Sequence, residues 1–245
     1  MTDAPLPSKA SAALEHELER VARLTRERHA DSNLAGALAR LSHWQAGRLG
    51  ATYVDLAAQP RYADAIAFFQ TDLYGGADFS RRDADLARAA PVMARMLPDR
   101  VIVTVAKAME LNALSQDLDR ALLAHLPRGA ATFNVAEYCR AYRAMARRPE
   151  RELQVRLIGE FGAAIDVYVR KPLLRTALMM MRHPARAARL AVLQEFLERG
   201  FAAFQKMRGA AEFLATIDQR ERALMDAIFA GDTAPFPDPL KSANS

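Results

Sequence analysis

The chain reads as all-α: a single compact multi-helix domain of about nine to eleven helices. Apolar residues recur at i, i+3, i+4 and i+7 almost throughout, while the strict alternation of a half-buried strand is nearly absent. Helix punctuation is frequent, with Ser, Asn and Asp at capping positions, Pro near first turns and Gly near last ones. At 245 residues, with 51% hydrophobic and 26% charged content, the chain can bury a full core without staples and is unlike a disordered one.

The elements follow in order. Leu14, Leu18 and Val21 mark a first helix over about residues 9–30. Asp31 breaks it and caps a second, whose stripe is Leu34, Leu38, Leu41, Leu49, Tyr53 and Leu56. Gly47 and Gly50 inside this helix each cost about 1 kcal/mol relative to Ala, which points to close packing or a kink. Pro60 is expected to open a third helix carrying Tyr62, Ile66, Phe69 and Leu73, stopped by Gly75 and Gly76. Ser80, with Asp83 three residues on, resembles a capping box before the stripe Leu86, Ala90, Met93 and Leu97. Pro91 within that stripe predicts a kink or break.

Ile102, Val105 and Met109 begin the next helix, with an interruption expected at 112–115, and Leu118, Leu122 and Leu126 continue it. Asn134 and Glu137 form a capping box, and Phe133 and Tyr138 a hydrophobic staple, the clearest helix start in the chain. Leu153, Leu157, Phe161 and Tyr168 mark a helix ending near Pro172, followed by a short apolar one over 173–182. Leu190, Leu193, Leu197, Phe201 and Phe204 mark a long helix, and Phe213, Ile217, Leu224 and Ile228 the last. Residues 1–8 are expected to be disordered, 9–230 to form the domain with a sub-boundary near 127–132, and the Pro-rich 231–245 to be disordered.

Charge is uneven. The net charge is +5, yet residues 140–189 hold twelve basic residues against four acids, so the rest of the chain is net acidic. Residues 167–194 contain no Asp or Glu but six basic residues: Arg170, Lys171, Arg175, Arg182, Arg186 and Arg189. Such a stretch suits an acidic or amphipathic protein partner, or an anionic membrane surface. Nucleic acid is disfavoured, because aromatics are not interleaved with these arginines. The run Met179, Met180 and Met181 points in three directions on a helix, so at least one is expected in the core.

The segment Phe68-Phe69-Gln70-Thr71-Asp72-Leu73-Tyr74-Gly75, continued by Asp78 to Arg88, resembles the bacterial family of FFLEELY-motif proteins. Phe68, Phe69, Leu73 and Tyr74 match its heptad, Asp72 stands for a Glu, and Gln70 and Thr71 depart from it. The resemblance is strongest over residues 60–98 and implies no catalytic residue, cofactor or ligand. Physically, Phe68 and Phe69 diverge by about 100° and anchor two different neighbours. The density of Arg81, Arg82, Asp83 and Asp85 suggests a surface Arg82–Asp85 pair, or an arginine-lined anion site at a helix start.

Several chemistries lack their residues. No Glu lies three positions before any histidine, as di-iron bundles require, and no His-Glu-x-x-His, Walker or Gly-x-Ser-x-Gly pattern occurs. One cysteine, Cys139, excludes an internal disulfide. His183 beside the Met run is the most suggestive histidine, but no metal or cofactor is expected. No secretory signal or spanning stretch is seen, so a cytoplasmic protein is expected. The expected function is a non-catalytic interaction or adaptor module whose basic C-terminal half, with Arg175, Arg182, His183, Arg186 and Arg189, meets an acidic or amphipathic partner. The alternative is an acyl- or anion-binding protein, or an enzyme, with a pocket where 173–183 meets the Arg81–Asp85 turn.

Overall fold

The computed structural model describes residues 8–73, 79–127 and 132–242. Residues 1–7 of the N-terminal segment, Tyr74, the Gly75–Gly76 stop and most of the proposed sub-boundary lie outside the described residues. The helices are α1 (Lys9–Ala30), α2 (Ser32–Thr52), α3 (Val54–Ala57), α4 (Ala63–Phe68), α5 (Ser80–Met96), α6 (Asp99–Leu123) and α7 (Val135–Ala144). They are followed by α8 (Arg148–Val169), α9 (Pro172–Met180), α10 (Arg182–Ala187), α11 (Ala191–Lys206), α12 (Ala211–Ala230) and α13 (Pro239–Ser242). A π-helical turn (Phe69–Leu73) extends α4, and there is no strand among the described residues. The fold is all-α.

The long α6 is the central post. Ile102, Ala113, Leu118 and Leu122 along it are fully buried. Its N-terminal half packs on α1 and α5 through Leu14, Leu18, Leu86 and Met109, and its C-terminal half on α2 and α7 through Leu41, Trp44 and Tyr138. A separate apolar cluster joins the end of α2 to α4, α8, α11 and α12 through Tyr53, Ile66, Val169, Phe204 and Phe213. Removing side chains of this size from water stabilises each position by about 1.5–3 kcal/mol.

Caps explain several boundaries. Asp31 accepts the backbone N–H groups of Asn33 and Leu34, starting α2. The α7 capping box is complete, with Asn134 and Glu137 exchanging two bonds of 2.9 Å. At the end of α12, Gly231 takes φ 108°, and Asp232 N–H reaches the Ala227 carbonyl in a Schellman arrangement.

Several expectations are corrected. Pro91 does not break α5: it lies on the exposed side, where the carbonyl it strips of an intrahelical donor is open to water. Helix α6 is uninterrupted at 112–115, because Asn112 and Ser115 bond across to Asp83 and Gln154 instead of competing for their own backbone. Pro60 does not open a helix. The chain turns there and α4 begins at Ala63, with Arg61 tied to the Met207 and Gly209 carbonyls and to Glu212. The tail is not loose over 231–242. Phe236 is buried against Trp44 and Tyr138, both ring centroids 6.1 Å away. Its docking uses Gly47, which packs instead of kinking: a Cβ there would lie 3.1 Å from Pro239. Prolines also limit the entropy lost when such a tail settles.

Candidate functional site

The residues singled out around Arg81–Asp85 form a structural clamp. Arg82 is buried, sandwiched between the rings of Phe79 and Phe196 at 4.5 and 4.7 Å. Its guanidinium donates to Asp83 at 3.0 Å and to the Asp72 carbonyl at 3.2 Å, and Asp83 also accepts from Asn112. Arg82 therefore pairs with its neighbour Asp83 in the interior and not with Asp85 on the surface. Asp85, also buried, accepts from Arg88 and from the Leu193 N–H. Asp72 accepts from Arg199 at 3.0 Å. These bonds pin α5 and the π-turn to α11. Ser80 is the first residue of α5, and the capping position falls on Phe79 without a side-chain bond. Arg81 is exposed.

The two phenylalanines diverge. Phe68 packs on Phe196, 5.3 Å between centroids, and lies against Gly200, where a Cβ would come within 3.0 Å of its ring. Phe69 turns toward Phe213, 6.0 Å away. The side chain of Leu73 is outside the described residues.

The basic stretch divides by partner. Arg182 makes a two-bond pair with Glu198 (2.7 and 2.8 Å), and Arg170 pairs with Asp166. Arg88 donates to the Arg189 carbonyl. His183, Arg175, Arg186 and Arg189 are exposed. Contrary to expectation, no member of the Met run is in the core: Met179, Met180 and Met181 are 51%, 72% and 50% exposed. The reason is that α9 has no buried residue at all.

A cavity with a mostly apolar wall and several polar side chains lies elsewhere, between the central and C-terminal apolar clusters. It measures about 80 Å³ and is largely enclosed, room for several waters or a small polyatomic anion. Helix α2 supplies Gln45 and Arg48, α6 Ser115 and Asp119, α7 Tyr138 and Tyr142, α8 Arg151 and Gln154, and α12 Glu221. Phe69 of the motif forms part of the wall.

Two charged groups there satisfy each other. Glu221 accepts from Arg48 at 2.6 Å and from the Tyr53 hydroxyl at 2.7 Å. Burial alone would raise the Glu221 carboxyl, but Arg48 and the two hydrogen bonds outweigh it and hold it below the ordinary value. Burial likewise opposes the Arg48 charge, and Glu221 more than restores it. Burial and the adjacent Glu221 push the Tyr53 hydroxyl up, so it stays a donor.

Arg151 is different. Its side chain is 6% exposed, with the guanidinium 4.6 Å over the Tyr142 ring. Nη1 donates to Gln154 at 2.9 Å, and Gln154 in turn donates to Ser115 at 2.8 Å. Nε and Nη2 have no partner. Those two N–H groups form the side-on edge of a guanidinium, the geometry that receives two oxygens of a carboxylate or phosphate. The nearby Asp119 carboxyl accepts from Gln45 at 3.0 Å; burial pushes it above its ordinary value against the pull of Arg151. Gln45 Oε1 is also unpaired.

Sequence reasoning missed this site. One signal existed: Arg151 and Gln154 occupy the same helical stripe as Val155 and Ile158, and Gln45 and Arg48 continue the stripe of Leu41. Polar residues at core-facing positions are the informative exceptions to burial rules. Cys139 is buried, and its thiol is pushed up to about 11 by burial and by Asp232, far from a reactive thiolate at neutral pH. Among the described residues no cluster of three or more His, Cys, Asp or Glu is placed to hold a metal.

Fold and cavity together define a helical domain built around an enclosed, arginine-bearing pocket. The chain belongs to the family described as a domain of unknown function, DUF8198, which matches residues 24–235 and so takes in every residue of the pocket. No curated protein and no solved structure matches the chain. Among the described residues no helix is long and apolar enough to cross a membrane.

Proposed function

We propose that this protein binds a small organic oxoanion, a carboxylate or phosphate, in the cavity between α2, α6, α7, α8 and α12. The carrying observation is Arg151, a buried cation whose side-on edge is unpaired while its other nitrogen is fixed by Gln154. A buried guanidinium edge without hydrogen-bond partners is costly, so an incoming oxoanion gains two charge-assisted bonds there. Arg48 contributes no competing site because Glu221 occupies it. Gln45 Oε1 offers an acceptor for a ligand hydroxyl.

The resemblance to FFLEELY-motif proteins fits this reading through Phe69, whose ring walls the cavity, and the setting is a bacterial cytoplasmic protein. A second reading, an adaptor contacting an acidic protein partner through its basic half, draws on exposed Arg175 and Arg186. It is weakened by the arginines already committed to Glu198 and Asp166.

The test is thermal unfolding with inorganic phosphate and a panel of short carboxylates and hydroxy acids, in the wild type and Arg151→Met. A ligand at about 100 times its Kd adds about 2.7 kcal/mol, a Tm rise of about 5–10 °C at this chain length. The rise is expected in the wild type and absent in Arg151→Met. Equal rises in both proteins overturn the proposal, as does a high-resolution structure with only water against Nε and Nη2 after soaking with the panel.

A further inference from the structure

We infer that the ligand of the cavity is a small zwitterion, an amino acid of the size of glycine or alanine, whose carboxylate meets Arg151 and whose ammonium meets Asp119 and Gln45. This rests on the oxoanion reading above and adds to it a second, cationic end.

Charge balance is the first support. Two arginines, Arg48 and Arg151, and two carboxylates, Asp119 and Glu221, line the cavity. Arg48 and Glu221 are joined at 2.6 Å. Arg151 and Asp119 carry the other pair of opposite charges, and among the described residues they form no ion pair with each other. Opposite charges thus line one enclosed space without closing on each other. A plain oxoanion bound there adds an uncompensated negative charge to a balanced interior, which is costly away from water. A zwitterion adds none.

The unmet hydrogen bonds are the second support, because they are of both kinds. Arg151, 6% exposed, leaves two donors without a partner, Nε and Nη2. Gln45, 5% exposed, leaves an acceptor without one, Oε1. The Nε2 of the same amide donates to Asp119 Oδ1 at 3.0 Å, so the unpaired oxygen lies on the Asp119 side of the cavity. Asp119 Oδ2 accepts no bond among the described residues. Burial holds the Asp119 carboxyl above its ordinary value even against Arg151, as for a carboxylate short of nearby positive charge. A carboxylate group offers only acceptors and leaves Gln45 Oε1 unmet. A ligand hydroxyl has a single donor and no charge, so it serves Gln45 or Asp119 but not both. An ammonium has donors for both and supplies the missing cation.

Size is the third support. At about 10–15 Å³ of accessible volume per water, a cavity of about 80 Å³ takes roughly five to eight non-hydrogen atoms. Glycine and alanine fall within that range, whereas aromatic and basic amino acids exceed it. Leu49, Ile66 and Val155 in the wall offer apolar surface to a methyl group.

The experiment is isothermal titration calorimetry of the full-length protein, near neutral pH, with glycine, L-alanine, L-lactate, propionate, ethylamine and inorganic phosphate. L-Lactate differs from L-alanine by a hydroxyl in place of the ammonium, propionate lacks both, and ethylamine lacks the carboxylate. The wild type is expected to bind glycine or L-alanine at least about tenfold more tightly than the other four, since a site built to bond an N–H rejects analogues without it. Asp119→Asn keeps the side-chain shape and an acceptor for Gln45, and in it the preference for L-alanine over L-lactate should disappear. Arg151→Met should bind none of the carboxylates. The ligand comparison in the wild type decides the matter even where a variant fails to fold. L-Lactate, propionate or phosphate binding as tightly as L-alanine, and losing that binding in Arg151→Met, overturns the zwitterion and leaves the oxoanion reading standing. Ethylamine binding as tightly as L-alanine also overturns it, by showing that the carboxylate contributes nothing. A preference for L-alanine that survives in folded Asp119→Asn removes the ammonium from Asp119 and overturns the proposal as stated. Binding of none of the six overturns both readings.

Discussion

The cavity and the exposed α9–α10 segment, called the ridge below, use the same residue type in opposite ways. Arg151 is buried, stacked on Tyr142 and held by Gln154, with Nε and Nη2 left without a partner beside the cavity. Arg175 and Arg186 sit in water beside exposed Leu and Met. The basic surplus of residues 140–189 includes all three, and a count of charges along the chain treats them alike. Their surroundings do not. In the cavity, desolvation strengthens each electrostatic contact and makes an unmade one expensive. Along α9 and α10, water and salt screen every charge.

The comparison breaks most sharply at Glu221. Glu221→Ala leaves Arg48 and Tyr53 without their acceptor inside the protein, and urea unfolding should show a loss of about 3–5 kcal/mol. A loss below about 1 kcal/mol would mean that the cavity is wet enough to solvate Arg48, and that the contrast with the ridge is overstated. Next in size is Phe236→Ala. Because this ring closes the aromatic cluster of Trp44 and Tyr138 beside the cavity, about 3 kcal/mol should be lost. A neutral result would return 231–242 to the loose tail that its prolines suggest.

A smaller effect lies in pH. Asp119 has a raised folded-state value, so its contribution is fully present below the ordinary carboxylate range near 4 and is lost as pH rises through the folded value. Asp55, held at about 2 by its pair with Arg220, behaves oppositely: its contribution is present above about 4 and lost as pH falls toward 2. Stability measured against pH should therefore show Asp119→Asn gaining on the wild type as pH rises above about 4. Asp55→Asn should fall behind it by less than about 1 kcal/mol, the pair being half exposed. Parallel curves for Asp119→Asn and the wild type would remove Asp119 from the buried charge balance.

The smallest effect sharpens the comparison from the other side. Leu173→Ser/Met180→Ser should leave unfolding within about 0.5 kcal/mol of the wild type, since neither side chain is withdrawn from water. A substantial loss would show that the ridge packs on the body in solution.

Local signals were legible where local physics decides. The α7 start was readable because a capping box and a staple lie within six residues, 133–138. The divergence of Phe68 and Phe69 followed from helix geometry alone. The tail was misread because proline content hid a single Phe, and only a bare patch at Gly47 on α2 made its docking favourable. The Arg82–Asp83–Asp85 cluster was visible as a density of charge, but its burial was not, since Phe196 and Asn112 come from α11 and α6. The cavity was least legible of all. Arg48 and Arg151 are 103 positions apart, and neither their stripes nor their charge says that one meets a carboxylate while the other does not.

Helical class and the caps at Asp31 and Asn134 are written in the chain itself, because period and capping chemistry act over a few residues. Which arginine is neutralised, which is left facing a cavity and which stands in water was decided only by how the helices pack. Desolvation and charge pairing depend on neighbours from every side, and those neighbours come from distant parts of the sequence.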